Sequence, residues 1–130
     1  MIPERKDRLT YFSKRFGESA VFLALDTGYE VEMAEQIDFI EKELSQESIY
    51  KFTIYHHPLY SACTKGETQR ATGEGRSIWV PLFDKHQLTM SFENHVHGFK
   101  RTKPLKGGKV EQGGTVYIGD GSWGPIVGHC

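Results

Sequence analysis

The sequence predicts an α/β fold, a mixed β-sheet with one or two flanking helices. Three observations carry this: runs rich in apolar, β-branched and aromatic residues, one amphipathic helix between two of them, and a glycine-rich last third. Thr10–Phe16 and Ser19–Leu25 are apolar-rich runs separated by Gly17-Glu18, the pattern of a β-hairpin. Within the second run, Ala20–Leu25 is continuous rather than alternating, which predicts a strand buried on both faces. Asp26-Thr27-Gly28 stops it with turn-forming residues. Val31, Ala34, Ile37, Ile40 and Leu44 recur at helical steps and predict an amphipathic helix from Val31 to Leu44. Glu30, Glu32 and Glu35 near its start suit the positive end of the helix dipole.

Ile49–Tyr55 reads as the next strand and ends at His56-His57-Pro58, because Pro58 has no N–H to donate to a ladder. Ser61–Gly75 is polar and contains Gly66, Gly73 and Gly75, so a long loop is expected there. Arg76–His86 has Ile78, Leu82 and Phe83 on one side and predicts a helix, with Pro81 spoiling its interior. Leu88, Met90 and Phe92 alternate with Thr89, Ser91 and Glu93, the pattern of a strand with its apolar side on a core. Phe99–Thr102 and Thr115–Ile118 are predicted strands joined by the glycine-rich stretch Gly107–Gly114. No internal repeat or long linker divides the chain, so residues 1–130 are read as a single domain.

Composition excludes several classes of function. With 16 Lys+Arg against 17 Asp+Glu the net charge is -1, without the basic surplus that nucleic-acid binding uses. The apolar run Ala20–Leu25 falls far short of the roughly 20 residues of a membrane span, so no membrane partner is expected. No apolar segment follows Met1 in the manner of a secretory signal. Cys63 and Cys130 do not make a disulfide framework. Lys100, Arg101, Lys103, Lys106 and Lys109 form a basic run, read as a solvated hairpin face.

The chemistry-bearing residues are histidines. Two predicted strands end in them, at His56-His57 and at His95-Val96-His97. In open α/β sheets, functional side chains gather beyond the carboxyl ends of strands, and imidazole is a common metal ligand. The alternative at this point is a set of surface histidines held by loop hydrogen bonds.

His56-His57-Pro58-Leu59-Tyr60-Ser61 and Asn94-His95-Val96-His97-Gly98-Phe99-Lys100-Arg101-Thr102 together resemble the carboxy-terminal half of the calcineurin-like metallophosphoesterases, purple acid phosphatase branch. Phe22–Asp26, Gln36–Leu44 and Val116–Gly121 are similar to three further segments of that family, in the same order. The resemblance implies a partial metallophosphoesterase fold, half of a two-sheet α/β sandwich. It also implies that His56 and His95 ligate one divalent metal ion (Zn, Fe or Mn) and that His97 ligates a second. His57 fills a variable position and is expected to stand outside the ligand set, and Arg101 takes a supporting role. Phosphate esters are the implied substrate.

The family's amino-terminal segments, Asp-x-His/Asp, Gly-Asp with the bridging carboxylate, and Gly-Asn-His, have no counterpart here. Two cations with no carboxylate between them repel strongly. The chain alone is therefore expected to hold at most half of a dinuclear centre, or no metal, and to be weak or inactive. Three departures fall inside the matching half: Asn94 in place of a glycine, Lys100 in place of an acidic residue, and Ser91 in a buried strand. Asn94 is the residue expected to absorb any left-handed backbone in the turn. Packing surfaces left uncovered predict a homo-oligomer. Two other readings stay open: a non-catalytic self-associating module, and a mononuclear zinc site of His56, His95 and His97.

Overall fold

The structure, a computed structural model, describes residues 9–61 and 67–119. Strands β1 (Phe12–Phe16) and β2 (Ala20–Ala24) form the hairpin, turning at Gly17 with φ 58°. A 3-10 turn (Met33–Gln36) leads into α1 (Ile37–Ser45), then β3 (Tyr50–Tyr55), α2 (Glu67–Ile78) and α3 (Val80–Lys85). Strand β4 (Met90–Glu93), the short β5 (Lys100–Arg101), the β6–β7 hairpin (Leu105–Lys106 and Lys109–Val110) and β8 (Val116–Gly119) follow. The main sheet has six strands in the order β1-β2-β3-β4-β8-β5. Its four inner strands run parallel and both edges are antiparallel, which is the mixed sheet expected.

The two faces of this sheet differ in kind. Register places Val21, Leu23, Thr53, Tyr55, Ser91, Glu93 and Tyr117 on one face, and all of them are buried. The core lies between this face and the helices, which contribute Met33, Ile40, Leu44, Trp79, Val80 and Phe83. Trp79 is anchored within it by donating its indole N–H to the Met33 carbonyl at 3.0 Å. The opposite face carries Phe22, stacked 4.6 Å from Phe52 and 6.4 Å from Phe92, with Phe16 and Tyr50 at its margin. This face is left largely open: Phe12, Phe16 and Tyr50 are 55%, 56% and 52% exposed.

Four expectations are corrected. The run Ala20–Leu25 is buried on one face only, because Phe22 looks out onto the open side. In β4 the buried residues are Ser91 and Glu93 rather than Met90 and Phe92. Burial of these polar groups is tolerated because each has partners; the Thr53 hydroxyl, for one, donates to Ser91 Oγ at 2.9 Å. The segment Ser61–Gly75, expected as a loop, enters α2 at Glu67. Trp79 separates α2 from α3, where Pro81 has no N–H for the Ser77 carbonyl. The first turn of the predicted helix is 3-10 and buries Met33 and Gln36 in place of Val31 and Ala34. Gln36 causes this: its amide oxygen accepts the Asp26 N–H at 2.9 Å while its nitrogen donates to the Asp26 carbonyl at 2.7 Å.

Lys103, Lys106 and Lys109 are exposed as expected, but Lys100 turns inward. His86 closes α3 and pairs with Glu41 on α1. Cys63, Cys130, Trp123 and the Asp120-Gly121 turn lie outside the described residues. Among the described residues, no helix is long and apolar enough to cross a membrane.

Candidate metal centre

Strands β2, β3 and β4 are parallel neighbours, so their carboxyl ends emerge at one rim of the sheet. Three loops meet there, beginning at Asp26, His56 and Asn94. Asp26 shapes the first. Its carboxylate accepts the N–H groups of Tyr29 at 2.8 Å and Glu30 at 3.1 Å, closing a tight turn that brings Thr27 and Tyr29 back over β3.

Pro58 ends the second strand at the histidine pair. The third loop is tied to the second in two places. Asn94 donates its backbone N–H to the His56 carbonyl at 3.1 Å and its side-chain amide to the Tyr55 carbonyl at 2.9 Å. Asn94 thus acts through hydrogen bonds, and His95 itself takes the left-handed conformation at φ 60°. That corrects the expectation for Asn94. It places a strained backbone directly under a candidate ligand, a common circumstance at functional sites.

The result is a cluster of imidazoles. His56, His57 and His95 each offer a ring nitrogen, and these nitrogens all lie within 4.8 Å of one another. His95 Nδ1 and His56 Nε2 share a hydrogen bond at 2.9 Å. The His57 ring centroid is 4.4 Å from that of His95 and 5.3 Å from that of His56. His57 is the buried member, 4% exposed, while His56 stands exposed. The His57 backbone N–H donates to Thr27 Oγ1 at 3.2 Å, and the same hydroxyl lies 3.4 Å from its Nδ1. On the other side of the ring, the Tyr29 hydroxyl lies 3.3 Å from Nε2. Loss of water around His56, and the nearby His95, His57 and His97, lower its pKa below the usual 6.5. A lowered pKa keeps the ring neutral and its lone pair available to a cation.

Of the residues read from sequence, His56 and His95 are brought together in this cluster. His97 is exposed, near enough to His56 to depress its pKa, and is not one of the three. His57, set outside the ligand set, is drawn into the group. The signal that could have found it is the turn sequence Asp26-Thr27-Gly28-Tyr29, which ends the neighbouring strand and supplies both groups that flank the His57 ring. Arg101 is exposed on the edge strand β5.

Beneath the histidines sits Glu93, 1% exposed. Its carboxylate accepts the Tyr55 hydroxyl at 2.9 Å and the backbone N–H groups of Leu59 at 2.7 Å and Tyr60 at 3.4 Å, and it pairs with Lys100. The residues present fit a divalent cation. Clustered neutral imidazoles are the donor set of zinc, iron and related transition ions rather than of magnesium or calcium.

No family model and no curated protein sequence matches the chain. Solved structures do. A purple acid phosphatase from yellow lupin (Lupinus luteus) seeds superposes with a TM-score of 0.71 at 21% identity, covering 93% of this chain and 24% of its own. GAP50, the anchor in the inner membrane complex of Plasmodium, superposes with a TM-score of 0.61 at 14% identity, covering 85% of this chain and 36% of its own. This chain therefore spans about a quarter of the lupin protein's length. The mixed sheet and its covering helices thus give this α/β chain the fold of the matching part of a purple acid phosphatase.

Proposed function

We propose that the chain is the carboxy-terminal portion of a metal-dependent phosphoesterase, hydrolysing phosphate mono- or diesters once its metal centre is complete. The observation that carries this reading is the imidazole cluster at the carboxyl rim of a sheet whose fold matches a purple acid phosphatase. In the complete centre His56 and His95 would hold one ion (Zn, Fe or Mn) and His97 would hold the second. Bound divalent ions supply Lewis acidity toward a phosphoryl oxygen and a water acidic enough to act near neutral pH. The chain's own part is to hold the imidazoles: Glu93 and Asn94 tie the two histidine-bearing loops, and the left-handed turn at His95 aims its ring.

The carboxylates that such a centre needs between its ions have no counterpart in this sequence. Alone, the chain is weak or inactive. The test is to assay it against a generic phosphomonoester and diester with Zn, Fe or Mn, alone and together with a chain carrying the amino-terminal carboxylate segments. Hydrolysis is expected in the reconstituted mixture and to fall to the blank in His95→Ala. Turnover in neither condition with any of the metals overturns the reading.

A second reading is favoured by the open aromatic face around Phe22, Phe52 and Phe92. There the chain is a non-catalytic module that self-associates. Two copies of one apolar face are mutually complementary about a twofold axis, so the partner is a second copy of this chain.

A further inference from the structure

We propose that within this chain His56, His57 and His95 form a site for a single zinc-class transition-metal ion, with His57 as the third ligand and Tyr29 covering the site. This differs from the ligand set that the family resemblance implies, which contains His97 and leaves His57 out. It does not rest on phosphoester hydrolysis, because it requires only that the imidazoles bind.

Geometry is the first support. Nitrogens about 2.0–2.1 Å from a common tetrahedral ion stand roughly 3.3 Å apart. His56 Nε2 and His95 Nδ1 are already 2.9 Å apart, and His56, His57 and His95 each offer one ring nitrogen within 4.8 Å of the others. Both rings of the bonded pair are free to carry their proton on the outward nitrogen, which turns both inner lone pairs toward the ion.

The preparation of His57 is the second support. A buried imidazole has a partner at each nitrogen, and the partners of His57 leave one nitrogen directed to the cluster. Here Thr27 Oγ1 stands beside Nδ1 and the Tyr29 hydroxyl beside Nε2. A hydroxyl accepting the Nδ1–H fixes the tautomer that leaves Nε2 to bind, the arrangement by which outer groups orient metal-ligating histidines. The Tyr29 ring stacks on His57 with centroids 5.2 Å apart and an interplanar angle of 13°, and meets His56 edge-on at 5.6 Å. Tyr29 thus lies over two of the three ligands, and its hydroxyl is the group that an incoming ion displaces from Nε2. Thr27 and Tyr29 are in turn positioned by the Asp26 turn and the Gln36 clamp, so the third ligand is supported down to the 3-10 turn.

The test titrates the full chain with Zn²⁺ while following the ¹⁵N resonances of the histidine rings. At one equivalent, the ring nitrogens of His56, His57 and His95 are expected to shift together while that of His97 stays in place. Shifts of His56, His95 and His97 with His57 unmoved, or no response from any histidine, overturn the proposal. In parallel, Co²⁺ binding is read by its visible absorption. His57→Ala is expected to weaken binding by roughly a hundredfold, with His86→Ala as the unaltered control. Wild-type affinity in a folded His57→Ala overturns the proposal as well. Should that buried substitution prevent folding, the resonance experiment on the unaltered chain still decides. A chain that binds Zn²⁺ in this way, and that hydrolyses no phosphoester even when reconstituted with the amino-terminal carboxylate segments, keeps this inference and loses the phosphoesterase reading.

Discussion

Glu93 is the residue on which the rim depends most. Its oxygens join the end of β3 through Tyr55, the backbone following Pro58, and strand β5 through Lys100. Its negative charge, added to burial, pushes the Tyr55 phenol well above its usual range, so Tyr55 stays a hydrogen-bond donor. Removing one partner of a buried ion pair leaves the other uncompensated. Glu93→Ala is therefore expected to cost about 3–5 kcal/mol in urea unfolding, and a loss under roughly 1 kcal/mol would contradict this role. Sequence did not disclose Glu93, because Met90 and Phe92 beside it make the opposite side of β4 look like the core. Lys100 was equally opaque, sitting in a run of exposed cations and finding its partner around the histidine turn. The strand-end positions of His56 and His95 were legible, since Pro58 and the end of the β4 alternation mark them. The capture of His57 was not, because it depends on Thr27 and Tyr29 folding back from another strand.

Among the elements, α2 is the one the sequence conceals. Polar residues and glycines suggest a loop, since an isolated segment of that composition has little helical propensity. Docking decides otherwise. Thr72 donates its hydroxyl to the Pro58 carbonyl at 2.6 Å, and Arg76 donates its Nε–H to the Leu59 carbonyl at 2.6 Å. The Arg76 guanidinium also lies over the Tyr60 ring, 4.5 Å from its centroid. These bonds satisfy the backbone just beyond the histidine pair, so α2 acts as a brace for the site. Gly75 allows the close approach, because a Cβ there would collide with the side chains of Leu59 and Met33. Gly75→Ala is expected to destabilise by about 1–3 kcal/mol through overpacking, despite gaining up to about 1 kcal/mol in helix propensity. An unchanged or raised melting temperature would show that α2 does not pack so tightly. By contrast the presence of the hairpin, α1 and β3 is readable from local pattern, although the one-sided burial of β2 and the 3-10 start before α1 are not.

For the molecule as a whole, the decisive property is that the described residues cover only one face of the sheet. Exposed aromatic surface of this kind favours association. The chain is expected to show a mass in light scattering that rises with concentration, and the paired change Phe16→Lys and Tyr50→Lys is expected to return it to a monomer. A wild-type mass that stays monomeric at micromolar concentration would count against the self-associating reading. Because β3 and β4 are interior to the six strands, with β1–β2 outside one and β8–β5 outside the other, fraying begins at the margins and reaches them late. The strands that lead into His56 and His95 consequently belong to the slowest-breathing part of the chain.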